Sequence, residues 1–185
     1  MILTVVRHAR TEGSRGPVGR RDVPIVGAHA DVAAGILAAL AQGAQGAARP
    51  VRVYTSPLSR CARTAHLVAG ALGAPCVEDA RLLELDYGHW EGVPWDDLPR
   101  AATDAWAESW QTEGPPGGES ARALEARVAS WLADARLEPA PALLVAHAGV
   151  VRALRVLLLG ASWPDAMAAP VPHAGEPDAV AVFRA

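Results

Sequence analysis

Short apolar runs alternate along this chain with segments of helical pattern, and this order constrains its fold more than any other feature. The runs Ile2–Val6, Val51–Thr55, Cys76–Glu78, Ala142–Ala146 and Ala179–Phe183 have the length and composition of β-strands. Helical patterns cover residues 30–41, 57–72, 120–137 and 149–159. A βαβ order favours parallel strands with helices on both faces. We therefore predict an α/β fold, a three-layer sandwich with a mostly parallel central sheet flanked by helices.

Local signals define several helix boundaries and one buried face. Ser56 is a good N-cap and Pro57 a good first helical residue, and Gly73-Ala74-Pro75 would end that helix. Gly160 would close the helix that starts at Gly149. In the segment 120–137 the apolar positions fall on one helical face: Leu124, Val128, Trp131, Leu132 and Ala135.

The chain of 185 residues is long enough for one domain with a sizeable core, and no linker or repeat divides it. We predict a single domain over residues 1–185. Residues 84–118 are less regular and carry four of the six tryptophans and several prolines. They predict loops and short helices that form a cap insertion over a site.

Composition and charge narrow the class of ligand. No stretch approaches the ~20 apolar residues of a membrane span, and the two cysteines have no disulfide-framework or metal-site spacing, so we expect a cytoplasmic protein. Residues 1–63 contain nine arginines and three acidic residues, a balance of +6, whereas the remainder is acidic. A cationic N-terminal third suits a small anionic ligand, and the acidic remainder argues against nucleic acid.

Histidine and arginine follow the predicted strands, at the sheet edge where open α/β sheets bind ligands. Arg7 and His8 follow the first strand, and His147 follows the fourth. His8 could be a structural histidine, a metal ligand, a general base or a nucleophile. The neighbouring charges of Arg7 and Arg60 would disfavour its protonated form.

The helix that starts at Pro57 would place Arg60 in its first turn, where the helix dipole also favours anions. Arg60 is therefore a candidate phosphate clamp, whereas Arg63, one turn further, is more typical of a solvated residue. His147 could donate a hydrogen bond to a phosphoryl oxygen or simply cap a helix. Two arginines and two histidines suffice chemically to hold and accept a phosphoryl group.

A leaving group needs a proton donor, and the segment 83–92 contains three carboxylates. Glu84 is our first candidate for this acid, with Asp86 and Glu91 as alternatives. A carboxylic acid beside a bound phosphate dianion is favoured in the protonated form that such a donor requires.

Five motifs occur in order along the chain, at residues 7–11, 56–60, 83–92, 117–120 and 147–152, and together they resemble the histidine phosphatase superfamily, in its phosphoglycerate mutase-like branch. Arg7-His8-Ala9-Arg10-Thr11 resembles the signature Arg-His-Gly-x-Thr. The other four are Ser56–Arg60, Leu83–Gly92, Gly117–Ser120 and His147–Arg152. The sequence departs from the family pattern at Ala9, Arg10, Ser14 and Ala148, which puts the substrate in question but removes no reacting group.

The resemblance implies a phosphohistidine mechanism. His8 would be the nucleophile, and Arg7, Arg60 and His147 would hold the phosphoryl group. Glu84 would be the acid and then the base that activates water. Thr11 and Ser14 are further phosphate-binding candidates, although Ser14 stands where the family often has Asn. The resemblance implies no metal and no organic cofactor.

Several details look most like the α-ribazole phosphatases of cobalamin synthesis, including Gly19–Ile25 and Glu84–Gly92. We therefore expect a small phosphorylated metabolite as partner, no nucleic acid and no membrane, and a homodimer is an option. The alternatives are a broad-specificity phosphatase of small esters, a phosphoglycerate mutase-like enzyme, and a non-catalytic module that binds phosphorylated ligands. The chain is short for a glycolytic mutase, so hydrolysis is favoured over mutase activity.

Overall fold

A computed structural model describes residues 1–13, 15–43, 46 and 48–185 of the chain. Its five strands are β1 (Ile2–Arg7), β2 (Arg52–Thr55), β3 (Cys76–Glu78), β4 (Ala142–Ala146) and β5 (Val180–Arg184). Its α-helices are α1 (His29–Ala41), α2 (Ser59–Leu72), α3 (Arg100–Ser109), α4 (Ala121–Arg136), α5 (Ala148–Leu159) and α6 (Trp163–Ala168).

The strands form one sheet in the order β3-β2-β4-β1-β5. The pairs β1–β4, β2–β4 and β2–β3 are parallel, and β5 runs antiparallel to β1. Every residue of the central strand β4 is buried, as expected for a parallel strand covered on both faces. The predicted mostly parallel α/β sandwich is confirmed.

Two hydrophobic clusters occupy the two faces of the sheet. The first packs α4, α5 and α6 against one face, and all five residues predicted for the buried face of α4 belong to it. The second packs α1 and α2 against the opposite face. The alternation of side chains along the strands divides β4 between them, because Leu144 joins the first cluster whereas Leu143 and Val145 join the second.

The predicted start of α2 is wrong by two residues. Leu58, not Ser56, is the N-cap, and the helix begins at Ser59. The Ser56 hydroxyl instead accepts a hydrogen bond from the Leu58 N–H, over 3.3 Å, in the turn that leaves β2. Arg60 is therefore the second helical residue, still within the first turn. The other predicted end is confirmed, because Gly73 caps α2 in the left-handed conformation at φ +65°.

The segment 84–118 contains two short 3₁₀ turns, at 88–90 and 95–97, and α3. Three of its tryptophans gather with Tyr87 in one aromatic group, and Trp90 is its most buried member. Helix α6 was not predicted, because six residues are too few to show a helical period. No helix among the described residues is long and apolar enough to cross a membrane.

Candidate active site

The carboxyl ends of β1 and β4 bring two histidines together. These strands are parallel neighbours with Arg7 opposite Ala146, so the next residues, His8 and His147, leave the sheet side by side. The His8 N–H donates to the Ala146 carbonyl over 2.9 Å. The two imidazole centroids lie 5.2 Å apart. Register alone therefore assembles the pair that the sequence placed 139 positions apart.

Hydrogen bonding and burial prepare His8 as a neutral imidazole. Its Nδ1 lies 2.6 Å from the Ala9 carbonyl, which can only accept, so Nδ1 carries the proton and Nε2 retains its lone pair. Burial, followed by the charges of Arg60 and Arg7, lowers the pKa of His8 from 6.5 to about 3. The side chain borders a cavity of about 290 Å³, which makes it available to a ligand.

Arg7 and Arg60, two of the three arginines that line the same cavity, are held in place by backbone carbonyls. Arg60 is 1% exposed and donates to the carbonyls of Gly19 and Arg21, over 2.6 Å each. Arg7 donates to the Val171 carbonyl over 2.8 Å. Carbonyls orient these groups without neutralising them, and within the described part of the chain neither arginine forms an ion pair. Three arginines against one carboxylate, Glu84, leave an excess of positive charge around the cavity, which makes it a site for an anion.

His147 lies deeper than the cavity. It is fully buried, and its Nε2 is 3.5 Å from Cys61 Sγ. Burial, with the charge of Arg60 next in weight, holds the pKa of His147 well below its ordinary value. The structure thus places His147 against His8 and behind the cavity wall, and its predicted contact with a phosphoryl oxygen stays a prediction.

Of the three carboxylates proposed as the acid, Glu84 is the one that lines the cavity. Its oxygens accept hydrogen bonds from the N–H groups of Leu85, over 2.9 Å, and Gly149, over 3.1 and 3.3 Å. Asp86 instead pairs with Arg20 at 3.1 Å. Glu91 accepts from the backbone of the 20–21 turn. The geometry therefore favours Glu84 over the two alternatives.

Arg127, on α4, holds the backbone that carries Glu84 in place. Arg127 donates to the carbonyls of Arg81, Leu83 and Glu84 over 2.6 to 3.0 Å. Its guanidinium also pairs with Glu119 at 2.6 Å. Both side chains of this pair are about 15% exposed, so solvent screens it only partly.

The remaining residues singled out in the sequence have three different outcomes. Thr11 lines the cavity, and its backbone bridges to Ile25. Ser14 lies outside the described residues. Arg63 is exposed, and Arg10 also points outward, where it pairs with Glu176 at 2.6 Å. The departure from the family pattern at Arg10 therefore forms a surface ion pair.

Sequence reasoning missed three side chains near His8. Arg152 and Tyr87 line the cavity, and Arg152 makes no hydrogen bond to any described residue. The spacing of Ala148 and Arg152, one helical turn apart at the start of α5, is a signal that could have identified Arg152. The ring of His173 lies 5.8 Å from that of His8, and its position beside Arg7 comes from a bridge in the C-terminal segment that no sequence pattern marks.

The sequence matches the histidine phosphatase superfamily (branch 1) over residues 3–175. The chain belongs to this superfamily. Among the residues that the structure describes, no group of three or more His, Cys, Asp or Glu side chains is arranged to hold a metal ion.

Relatives in the superfamily carry several activities. A 2,3-bisphosphoglycerate-dependent phosphoglycerate mutase of Azorhizobium caulinodans is 32% identical over 85% of this chain and 81% of its own length. A glucosyl-3-phosphoglycerate phosphatase of Mycolicibacterium vanbaalenii is 30% identical over 88% and 77%. A mutase of Beijerinckia indica is 33% identical, but the match spans only 58% of this chain and 56% of that protein.

Solved structures share the fold over nearly the whole chain. The α-ribazole phosphatase from Shigella flexneri has a TM-score of 0.79 at 26% identity, covering 94% of this chain and 87% of its own. A mycobacterial glucosyl-3-phosphoglycerate phosphatase has a TM-score of 0.76 at 27% identity, covering 94% and 86%. Several of these relatives and structural neighbours are named as phosphatases, although the chain spans little more than half the length of some curated relatives that it matches.

Proposed function

We propose that this protein hydrolyses small phosphate monoesters through a phosphohistidine at His8. The observation that carries the proposal is the state of His8: a neutral imidazole with its Nδ1 proton engaged, bordering a cavity that Arg7 and Arg60 also line without an ion-pair partner among the described residues. A non-catalytic binding module would need the arginines but has no use for a desolvated nucleophile with a free lone pair.

The reaction has two steps. In the first, Nε2 of His8 attacks phosphorus, the bond to the ester oxygen breaks, and Glu84 gives its proton to the departing alkoxide. In the second, the Glu84 carboxylate takes a proton from water, the resulting hydroxide attacks phosphorus, and the N–P bond breaks to release inorganic phosphate. Arg7 and Arg60 stabilise the charge on the phosphoryl oxygens in both steps. His147 stabilises that charge as well, by donating an imidazole N–H to a phosphoryl oxygen when the substrate is bound.

We further propose α-ribazole 5′-phosphate as the substrate. Similarity to α-ribazole phosphatase structures supports this choice, at identities near 26%. The relatives named as phosphoglycerate mutases and as a glucosyl-3-phosphoglycerate phosphatase favour a phosphoglycerate ester as the second candidate. The cytoplasmic location and the homodimer stay predictions.

Phosphate release from α-ribazole 5′-phosphate, 3-phosphoglycerate and glucosyl-3-phosphoglycerate tests both levels of the proposal. We expect the highest kcat/KM for α-ribazole 5′-phosphate, and loss of all turnover in His8→Ala. His66→Ala is a matched control, because His66 is exposed and pairs with Glu78 away from the cavity. Turnover that survives in His8→Ala would refute the mechanism, and a higher kcat/KM for either glycerate ester would refute the substrate.

Trapping the intermediate tests the nucleophile directly. Rapid acid-free quenching with labelled substrate should give one phosphoryl adduct per chain, stable in base and labile in acid, on His8. An adduct on a hydroxyl side chain would contradict the assignment.

A further inference from the structure

A second pocket opens directly beside the phosphate cavity. Its volume is about 260 Å³, and its walls are mostly apolar, with Leu85, Trp106, Trp110, Leu124, Trp163 and Met167 among them. Three residues border both spaces: Glu84, Tyr87 and Arg152. The apolar pocket and the anion cavity are therefore neighbours that meet at the carboxylate assigned as the leaving-group acid.

We propose that this pocket receives the organic part of the substrate and selects a leaving group that carries a flat aromatic ring. The proposal rests on the hydrolase function above and adds the chemical class of the alcohol. α-Ribazole 5′-phosphate, with its benzimidazole, belongs to this class.

The position of Glu84 gives the substrate its direction. A phosphate held by Arg7 and Arg60 places its ester oxygen towards Glu84, because the proton donor must reach that oxygen. The carbon chain beyond the oxygen then continues past Glu84 into the apolar pocket.

The walls favour an aromatic ring over a charged or hydroxylated group. The rings of Trp110 and Trp163 meet edge to face with centroids 5.8 Å apart, so the pair presents aromatic surface to an occupant. Trp106 stacks against Trp95 at an interplanar angle of 23°. Beyond the junction residues, the lining residues are apolar side chains, tryptophans and Gly149. Away from Glu84, Tyr87 and Arg152, a carboxylate or sugar hydroxyl would lose water and meet no polar side-chain group other than indole N–H groups.

Matched primary alkyl esters separate the pocket from leaving-group chemistry. Ethyl phosphate and 2-(2-naphthyl)ethyl phosphate both release a primary alkoxide, so their kcat/KM values differ mainly through the pocket. We expect about a 50-fold higher kcat/KM for the naphthyl ester, the gain typical of burying one aromatic group. We expect 2-cyclohexylethyl phosphate to fall between the two.

A charge at the mouth of the pocket tests its location. Met167 lines the pocket and is 44% exposed, so Met167→Glu should fold and place a carboxylate at the mouth. We expect the naphthyl-to-ethyl ratio of kcat/KM to fall about tenfold. Ala168→Glu is the matched control, since Ala168 is exposed on the same helix and does not line the pocket. The control should keep the ratio of the unchanged protein.

The outcomes distinguish the two proposals. Equal kcat/KM values for the naphthyl and ethyl esters would overturn the proposed role of the pocket without affecting the hydrolase proposal. The same would follow if Met167→Glu and Ala168→Glu had equal naphthyl-to-ethyl ratios of kcat/KM. A cyclohexyl ester as good as the naphthyl ester would overturn the aromatic preference. If no ester turns over, the hydrolase fails, and quenching of tryptophan fluorescence by 2-(2-naphthyl)ethanol still decides the pocket. Quenching that Met167→Glu weakens tenfold and Ala168→Glu does not would support it, and equal quenching in both would refute it.

Discussion

Replacing Gly149 by alanine should damage catalysis without damaging the fold. A Cβ at this position would lie 2.3 Å from Glu84 Oε1, where ordinary contact begins at 3.4 Å. The carboxylate must therefore retreat by about 1 Å, and a displacement of that size costs about 10²-fold in rate. The retreat is mechanically easy, because Glu84 Oε1 is the end of a flexible side chain. Alanine is also a better helix former than glycine by about 1 kcal/mol, which offsets much of the contact with Leu124.

A comparison of kcat/KM for two substrates identifies the step that the substitution slows. An alkyl phosphate needs a proton on its leaving oxygen, whereas 4-nitrophenyl phosphate releases 4-nitrophenolate, which is a stable anion without that proton. We expect Gly149→Ala to lower kcat/KM for the alkyl ester about 100-fold and for the nitrophenyl ester less than about fivefold. Adding Glu84→Gln to Gly149→Ala should cause a smaller further loss than Glu84→Gln causes alone, because both changes act through one carboxylate.

Gly70→Ala provides the control. Gly70 lies within α2, is exposed, and has no atom near the position of an added Cβ. It should raise the melting temperature slightly and leave both kcat/KM values unchanged. The reasoning is refuted if Gly149→Ala lowers kcat/KM equally for both esters, or leaves the alkyl ester unaffected while the melting temperature is maintained.

Three further predictions concern the pH dependence of stability, the hydrogen bonds of Arg127 and the reactivity of the cysteine thiols. His8 has a pKa of about 3 when folded and about 6.5 when unfolded, so its contribution to stability is complete above pH 6.5 and disappears as pH falls towards 3. In urea denaturation, the free energy of unfolding of His8→Gln should change across that pH window by up to about 5 kcal/mol less than that of the unchanged protein. An identical pH dependence of the two free energies would contradict the assignment. Arg127→Met should lower the free energy of unfolding by about 3 kcal/mol, because it removes the Arg127 donor from three carbonyls and the nearest cation from Glu119, which keeps only Arg20 at 3.3 Å and the Asp86 N–H. Arg136→Met, at an exposed position of the same helix, should change the free energy of unfolding by less than about 0.5 kcal/mol, and equal losses in the two variants would count against this role of Arg127. Burial raises the pKa of the Cys61 thiol and raises that of Cys76 to about 11. A thiol reagent at pH 8 should therefore label the native protein at least about tenfold more slowly than the protein unfolded in urea. Equally rapid labelling of the native protein would contradict this prediction.

Local pattern was sufficient for most of the secondary structure. The buried face of α4 repeats at the helical period, and the ends of α2 and α5 are glycines in the left-handed conformation, so residues a few positions apart carried the information. Ser56 shows where this reasoning fails, since its hydroxyl bonds the turn before the helix rather than the helix itself. Residue propensity identified Ser56 as a residue whose hydroxyl accepts a backbone N–H, but it did not identify which N–H group the hydroxyl would bond.

The sequence by itself determined the alternating βα order, and with it the sheet edge at which Arg7, His8 and His147 collect. It also determined the inventory of guanidinium, imidazole and carboxylate groups. Only the tertiary structure decided which carboxylate reaches the cavity, because Glu84, Asp86 and Glu91 lie within eight residues and differ in long-range partners. It alone brought His173 to His8, buried His147 against Cys61 and joined an apolar pocket to the anion cavity. These outcomes depend on contacts between residues far apart in the chain, which no local periodicity encodes.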